Sequence, residues 1–132
     1  MTTIDRGLVA VVEDDASVRH SLLRLLYSSG RRAIGYASAE EFLVWYQRDK
    51  PCCLVLDIHL RGMSGIDLLE KLAQENKTIP VVFITANDEA TSGEELQRRG
   101  VTCLRKPFDE TILLQAIDAA IGGPTAASAR LE

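Results

Sequence analysis

Five short apolar runs recur along the chain, at residues 8–12, 33–36, 52–56, 81–84 and 101–104. A stretch with helical periodicity follows each of them. The first, third and fourth runs are almost unbroken in apolar residues, which is how strands covered on both faces read. Strand and helix in alternation, five times over, require a parallel sheet with right-handed crossovers and helices on both faces. The expected architecture is a doubly wound α/β sheet of strand order 2-1-3-4-5. Such a sheet carries its site at the carboxyl ends of the strands, near the switch point.

The intervening stretches carry their own signals. Val18, Leu22, Leu25 and Leu26 line one face of a first helix, which Gly30 closes. Ser38 and Glu41 form a capping-box pattern ahead of Phe42, Trp45 and Tyr46, which are expected on a buried side. Ser64 and Asp67 repeat the pattern before Ile66, Leu69 and Leu72. Asp109 can cap the last helix, whose stripe is Ile112, Leu113, Ala116, Ile117, Ala120 and Ile121. Gly122 and Gly123 are expected to end it. The fourth stretch, 88–99, is the weakest. It offers only Ala90 and Leu96 as apolar residues and has Gly93 in its middle, at a cost of about 1 kcal/mol against alanine. One domain is expected over 1–122, with 123–132 a flexible tail or the start of a linker.

Composition narrows the function. The chain has 132 residues, 46% hydrophobic and 26% charged, which suits a single globular domain. No apolar run approaches the roughly 20 residues of a membrane span. A net charge of −4 argues against direct nucleic-acid binding, which rests on basic surfaces. The pairs Arg31-Arg32 and Arg98-Arg99 read as solvated surface. Three cysteines, two of them adjacent, make no disulfide framework, and the N-terminus has no signal-peptide pattern. A cytoplasmic location is the expectation.

The polar groups at the strand ends carry the chemistry. Glu13, Asp14 and Asp15 follow the first strand, Asp57 the third, Thr85 and Ala86 the fourth, and Lys106 and Pro107 the fifth. Carboxylates brought together repel, so a compensating cation is needed. Lys106 is one candidate. A divalent ion with oxygen ligands, Mg²⁺ (or Mn²⁺), is another. A carboxylate beside Mg²⁺ and lysine, with a hydroxyl opposite, is equipped for phosphoryl transfer to aspartate. Asp15 reads equally well as the N-cap of the first helix.

The motifs VVEDD at 11–15, LVLD at 54–57, MSG at 63–65, VFITA at 82–86 and KPF at 106–108 resemble, in order and spacing, the receiver domain of two-component response regulators. The likeness covers roughly residues 7–121. With VRHSL and SAEEFL it resembles receivers that precede helix-turn-helix output domains. The resemblance implies a flavodoxin-like fold with Asp57 as phosphoacceptor. Asp14 and Asp57 would bind Mg²⁺ directly, the His59 backbone carbonyl would add a ligand, and Glu13 would act through water. Thr85, with the Ala86 N–H, would bond the phosphoryl group, Lys106 would pair with one of its oxygens, and Pro107 would follow a cis peptide bond. The implied partner is a sensor histidine kinase or phosphotransfer protein, with homodimerisation on phosphorylation through the fourth helix, fifth strand and last helix. The chain would be a signalling switch and not an enzyme, with no membrane partner.

Several positions depart from the family pattern. Cys103 stands where the family usually has a switching Tyr or Phe, and it reads as a small core hydrophobe. Arg61 stands where Pro is common. His59 and Asn87 occupy variable rim positions, and the Thr85-to-Lys106 spacing is about one residue short. The alternative inside the family is a degenerate receiver that binds partners without phosphorylation. Outside it stand a phosphohydrolase, which wants a second Asp where His59 lies, and a flavodoxin-like cofactor binder, which wants a phosphate loop where the acids lie.

Overall fold

In a computed structural model the described residues are 7–85, 102–106 and 108–131. The chain runs β1 (Leu8–Val12), α1 (Ala16–Ser28), β2 (Arg32–Tyr36), α2 (Ala39–Asp49), β3 (Cys53–Asp57), α3 (Gly65–Gln74), β4 (Val81–Thr85), β5 (Thr102–Arg105) and α4 (Glu110–Leu131). The five strands form one sheet of order β2-β1-β3-β4-β5, parallel at every pairing. The fold is the expected doubly wound, flavodoxin-like one. The helical stretch expected over 88–99 lies outside the described residues, as do Arg98-Arg99 and Val101.

Alternate residues of the central strands serve two separate cores, which is why those strands read as continuous apolar runs. Ala10, Val12, Leu54, Leu56 and Phe83 pack beneath Phe42 and Tyr46 of α2 and Leu68 and Leu72 of α3. Val9, Val11, Val55, Val82 and Ile84 pack beneath Leu22 and Leu26 of α1 and Leu113 and Ile117 of α4. Fixing both faces of β1 and β3 fixes where those strands end, and therefore where Glu13 and Asp57 stand.

Local chemistry sets the boundaries. The Asp15 side chain accepts from the Val18 N–H and starts α1, and Gly30, at φ +85°, turns the chain out after Ser29. Ser64 and Asp67 form a complete capping box on α3. Asp109 accepts from the Thr111 N–H ahead of α4.

Five expectations are corrected. At α2 the Ser38 hydroxyl accepts from Glu41 N–H, but the Glu41 carboxylate takes the Ala37 N–H, so the box is only half formed. Trp45 is not buried with Phe42 and Tyr46. It lies on the helix flank, 42% exposed, with the Arg48 guanidinium 4.2 Å above its ring. Ile112 is likewise exposed, because α4 turns Leu113 and Ile117 inward. Arg31 is not solvated surface: it is buried and paired with Asp118 of α4, while Arg32 is exposed. Finally, α4 does not stop at Gly122-Gly123 but continues to Leu131. Gly122, Gly123 and Pro124 are all poor helix formers, so local propensity does not explain the continuation, although the Ala and Arg residues that follow are good ones.

Candidate functional site

The site is built by strand ends. β1 delivers Glu13 and Asp14, β3 delivers Asp57, β4 delivers Thr85, and the residue after β5 is Lys106. Parallel pairing puts all of these carboxyl ends on one rim. Ligand oxygens of Glu13, Asp14 and Asp57 lie within 4.8 Å of one another. Glu13, Asp57 and Thr85 are buried, and Asp14 is the most open of the three acids.

Lys106 is the ammonium of the cluster. Its Nζ donates to Glu13 Oε1 at 2.6 Å and lies 3.6 Å from Asp57 Oδ2. Its own backbone N–H donates to the Thr85 carbonyl at 2.7 Å, which ties β5 to β4 at the rim. Glu13 is held further by the Asp15 N–H on Oε2 and by the Arg19 guanidinium on its carbonyl, at 3.1 and 2.7 Å. Burial pushes the Glu13 carboxyl above its ordinary value, Lys106 and the Asp15 N–H pull it part of the way back, and the Asp57 charge raises it again. Burial alone would lower the Lys106 ammonium, but the bond to Glu13 and the charges of Asp57 and Glu13 outweigh it and hold it above the ordinary lysine value.

The two oxygens of Asp57 are not equivalent. Oδ1 accepts from the His59 N–H at 3.0 Å, whereas Oδ2 faces Lys106. The loop after β3 is pinned on two sides. The Arg61 N–H donates to Asp14 Oδ2 at 3.3 Å, and the Met63 N–H donates to Glu40 Oε2 at 3.0 Å. Beneath it, Gly65 opens α3 against the backbone of Asp57. A Cβ there would sit 2.3 Å from the Asp57 carbonyl oxygen, so only a hydrogen fits.

The donor set fits a hard divalent cation. All three ligand groups are carboxylates, they converge, and one ammonium is too little charge to balance them. This is the site that the family resemblance implies.

The response regulator receiver domain family matches residues 9–118. This chain belongs to that family. Nodulation protein W of Bradyrhizobium diazoefficiens is 40% identical over 116 residues, covering 87% of this chain and 51% of that protein. The transcriptional regulatory protein TdiR of Thauera aromatica is 35% identical over 123 residues, covering 90% of this chain and 53% of that protein. The receiver spans about half the length of these curated relatives. Among solved structures, FixJ-N superposes with a TM-score of 0.82 at 30% identity, covering 89% of this chain and 95% of that one. The response regulator StyR superposes at 0.80 with 38% identity, covering 94% of this chain and 62% of that one.

The receiver is thus a signalling module of two-component systems. Its family generally binds Mg²⁺ through acidic residues and partners with histidine kinases or phosphotransfer proteins. Among the described residues no helix is long and apolar enough to cross a membrane. Glu13, Asp14, Asp57, His59, Thr85 and Lys106 gather at the rim, while Ala86, Asn87 and Pro107 lie outside the described residues. Cys103 is half-buried on β5 against the α2–α3 core, and burial pushes its thiol up from the ordinary value. That disfavours the reactive thiolate, in keeping with a packing role. The motif MSG singled out Gly65 without its reason, which is the contact with Asp57. The latch by Glu40 and the support by Arg19 had no signal in the strand-end pattern, because both come from helix faces.

Proposed function

We propose that this receiver accepts a phosphoryl group on Asp57 from a phosphohistidine of a sensor histidine kinase or phosphotransfer protein, in the cytoplasm, with Mg²⁺ (or Mn²⁺) bound. A single observation carries the reading. Four strands bring three carboxylates, a threonine and a lysine to one rim, with Asp57 in the acid cluster and 3.6 Å from the ammonium.

The transfer forms a bond from an Asp57 carboxylate oxygen to phosphorus and breaks the phosphorus–nitrogen bond, and the departing imidazole takes up a proton from solvent. Asp14, Asp57, the His59 carbonyl and Glu13, the last through water, would hold the cation. When bound, it supplies positive charge against the oxygens of the transferring group. Lys106 then exchanges part of its pairing with Glu13 for a phosphoryl oxygen. Its ammonium is already 3.6 Å from Asp57, so little movement is required. Thr85 and the Ala86 N–H bond the phosphoryl group after transfer. The modification is stoichiometric, with loss by hydrolysis at the same residue, so the chain acts as a switch rather than as an enzyme.

The switched surface is that of 88–99, β5 and α4, and homodimerisation there is the proposed response. Cys103 has no ring to swing, so the read-out rests on 88–99 more than on β5. The proposed domain limits are 1–122 for the receiver and 123–132 for a tail or the start of a linker; the curated relatives it matches are about twice this length. Nucleic acid would be met by an output module and not by this acidic segment.

The test is intact-protein mass after incubation with a small acyl-phosphate donor, with and without Mg²⁺, on wild type and Asp57→Ala. One phosphoryl adduct that requires Mg²⁺ and is lost in the variant is the expected result. If folded wild type gives no adduct and no stable beryllofluoride complex, the phosphorylation-independent reading replaces this one.

A further inference from the structure

Lys106 is committed to Glu13 and Asp57, and Asp14 has a cation of its own. Among the described residues that cation is Arg61. The Arg61 backbone N–H donates to Asp14 Oδ2 at 3.3 Å, and its Nε lies 3.9 Å from the same oxygen. The backbone bond keeps the side chain within reach of Asp14, while the side chain itself is 97% exposed. The oxygen involved belongs to the most open of the three convergent carboxylates.

We propose that Arg61 is a built-in counter-cation of the metal site. It stays near Asp14 while the site holds no divalent ion and moves away from that carboxylate, still in solvent, when one binds. The proposal rests on the reading of Glu13, Asp14 and Asp57 as a cation site. Two positive charges cannot share Asp14 Oδ2 without repulsion, so each cation that binds displaces the guanidinium. An exposed pair of this kind is weak, so removing it tightens divalent-ion binding about two- to fivefold. Arg61 is therefore a positioning residue that sets the ion concentration at which the receiver becomes competent. It does so without touching Asp57.

The experiment is Mn²⁺ titration of the full chain, with free ion counted by its electron paramagnetic resonance signal. Wild type, Arg61→Gln, Arg61→Lys and Asp14→Asn are compared, and circular dichroism verifies that each is folded. Arg61→Gln keeps the backbone N–H and the reach but loses the charge. Its Kd is expected to fall about two- to fivefold below wild type, with Arg61→Lys staying near wild type. The ratio should approach one in about 1 M salt, where charges are screened beyond about 3 Å. If Asp14→Asn loses binding while Arg61→Gln matches or exceeds the wild-type Kd, the proposal is overturned and the cation site stands. If Arg61→Lys tightens binding as Arg61→Gln does, charge is not the cause and the proposal is again overturned. If Asp14→Asn binds Mn²⁺ as wild type does, the cation-site reading itself fails and takes the proposal with it.

Discussion

Buried charge occurs at both ends of this sheet, and the two ends treat it differently. At the amino end, Arg31 is buried just before β2 and meets Asp118 of α4, whose carboxylate is 62% exposed. One charge faces one charge, and the link ties α4 to the sheet; only Nη1 of the guanidinium lacks a hydrogen-bond partner. At the carboxyl end, three carboxylates converge on one enclosed ammonium, with the exposed Arg61 reaching only Asp14, at 3.9 Å. That end is left short of positive charge, and on the proposed function a cation and a phosphoryl donor would answer that deficit. Electrostatic balance marks structure here, and imbalance marks function.

The largest expected effect comes from disturbing the ground on which the rim stands. Gly65→Ala drives a methyl into the Asp57 carbonyl and should cost about 3 kcal/mol, read as a shift in the urea midpoint. A variant as stable as wild type would mean that the first turn of α3 can back away from the rim freely.

A smaller loss is expected at the balanced end. Asp118→Ala strands the buried guanidinium and should cost about 2 kcal/mol, less than a fully enclosed pair because Asp118 is largely exposed. Arg31→Met removes the charge along with its partner's purpose and should stay within about 1 kcal/mol of wild type. Equal losses in the two variants would show that packing, not pairing, holds α4.

The smallest effect is a slope. Glu13 sits above its ordinary carboxylate value, so the folded state favours its protonated form. Without divalent ion, stability should therefore fall as pH rises from the ordinary value of 4.5 to the raised folded one, and level off above it. Lys106 works at the other extreme: its contribution is intact below the ordinary 10.5 and is lost as pH climbs through its raised value. Urea midpoints from pH 4 to 7 should show the acid slope in wild type, and Glu13→Gln should flatten it. An unchanged slope in that variant would show that Glu13 is not its source.

Most of the fold was legible because strands buried on both faces leave a period-free apolar run that few other structures produce. The rim was legible for a related reason, since charged residues directly after such runs have one place to go. Side-chain choices were not. Nothing in the sequence says that Lys106 bonds Glu13 more closely than Asp57, because that depends on the extra methylene of glutamate and the exact height of β5. Arg31 was misread because its partner is 87 residues away. Trp45 was misread because a residue three positions from Phe42 can lie on the flank as easily as beneath it. Gly122-Gly123 was read as a stop because helix termination was judged locally, glycine by glycine.

The bond from Lys106 to Glu13 joins residues 93 apart, and it has a consequence for how the molecule comes into being. β1 and β2 can pair early in synthesis, and β3 can join them well before β5 is made. The ammonium arrives last, with the final strand. A nascent chain emerging from the ribosome therefore exposes its acids long before it can neutralise them. Parallel, non-local pairing of this kind is also slow. The charge pattern of the rim is thus completed only when the last strand joins the sheet.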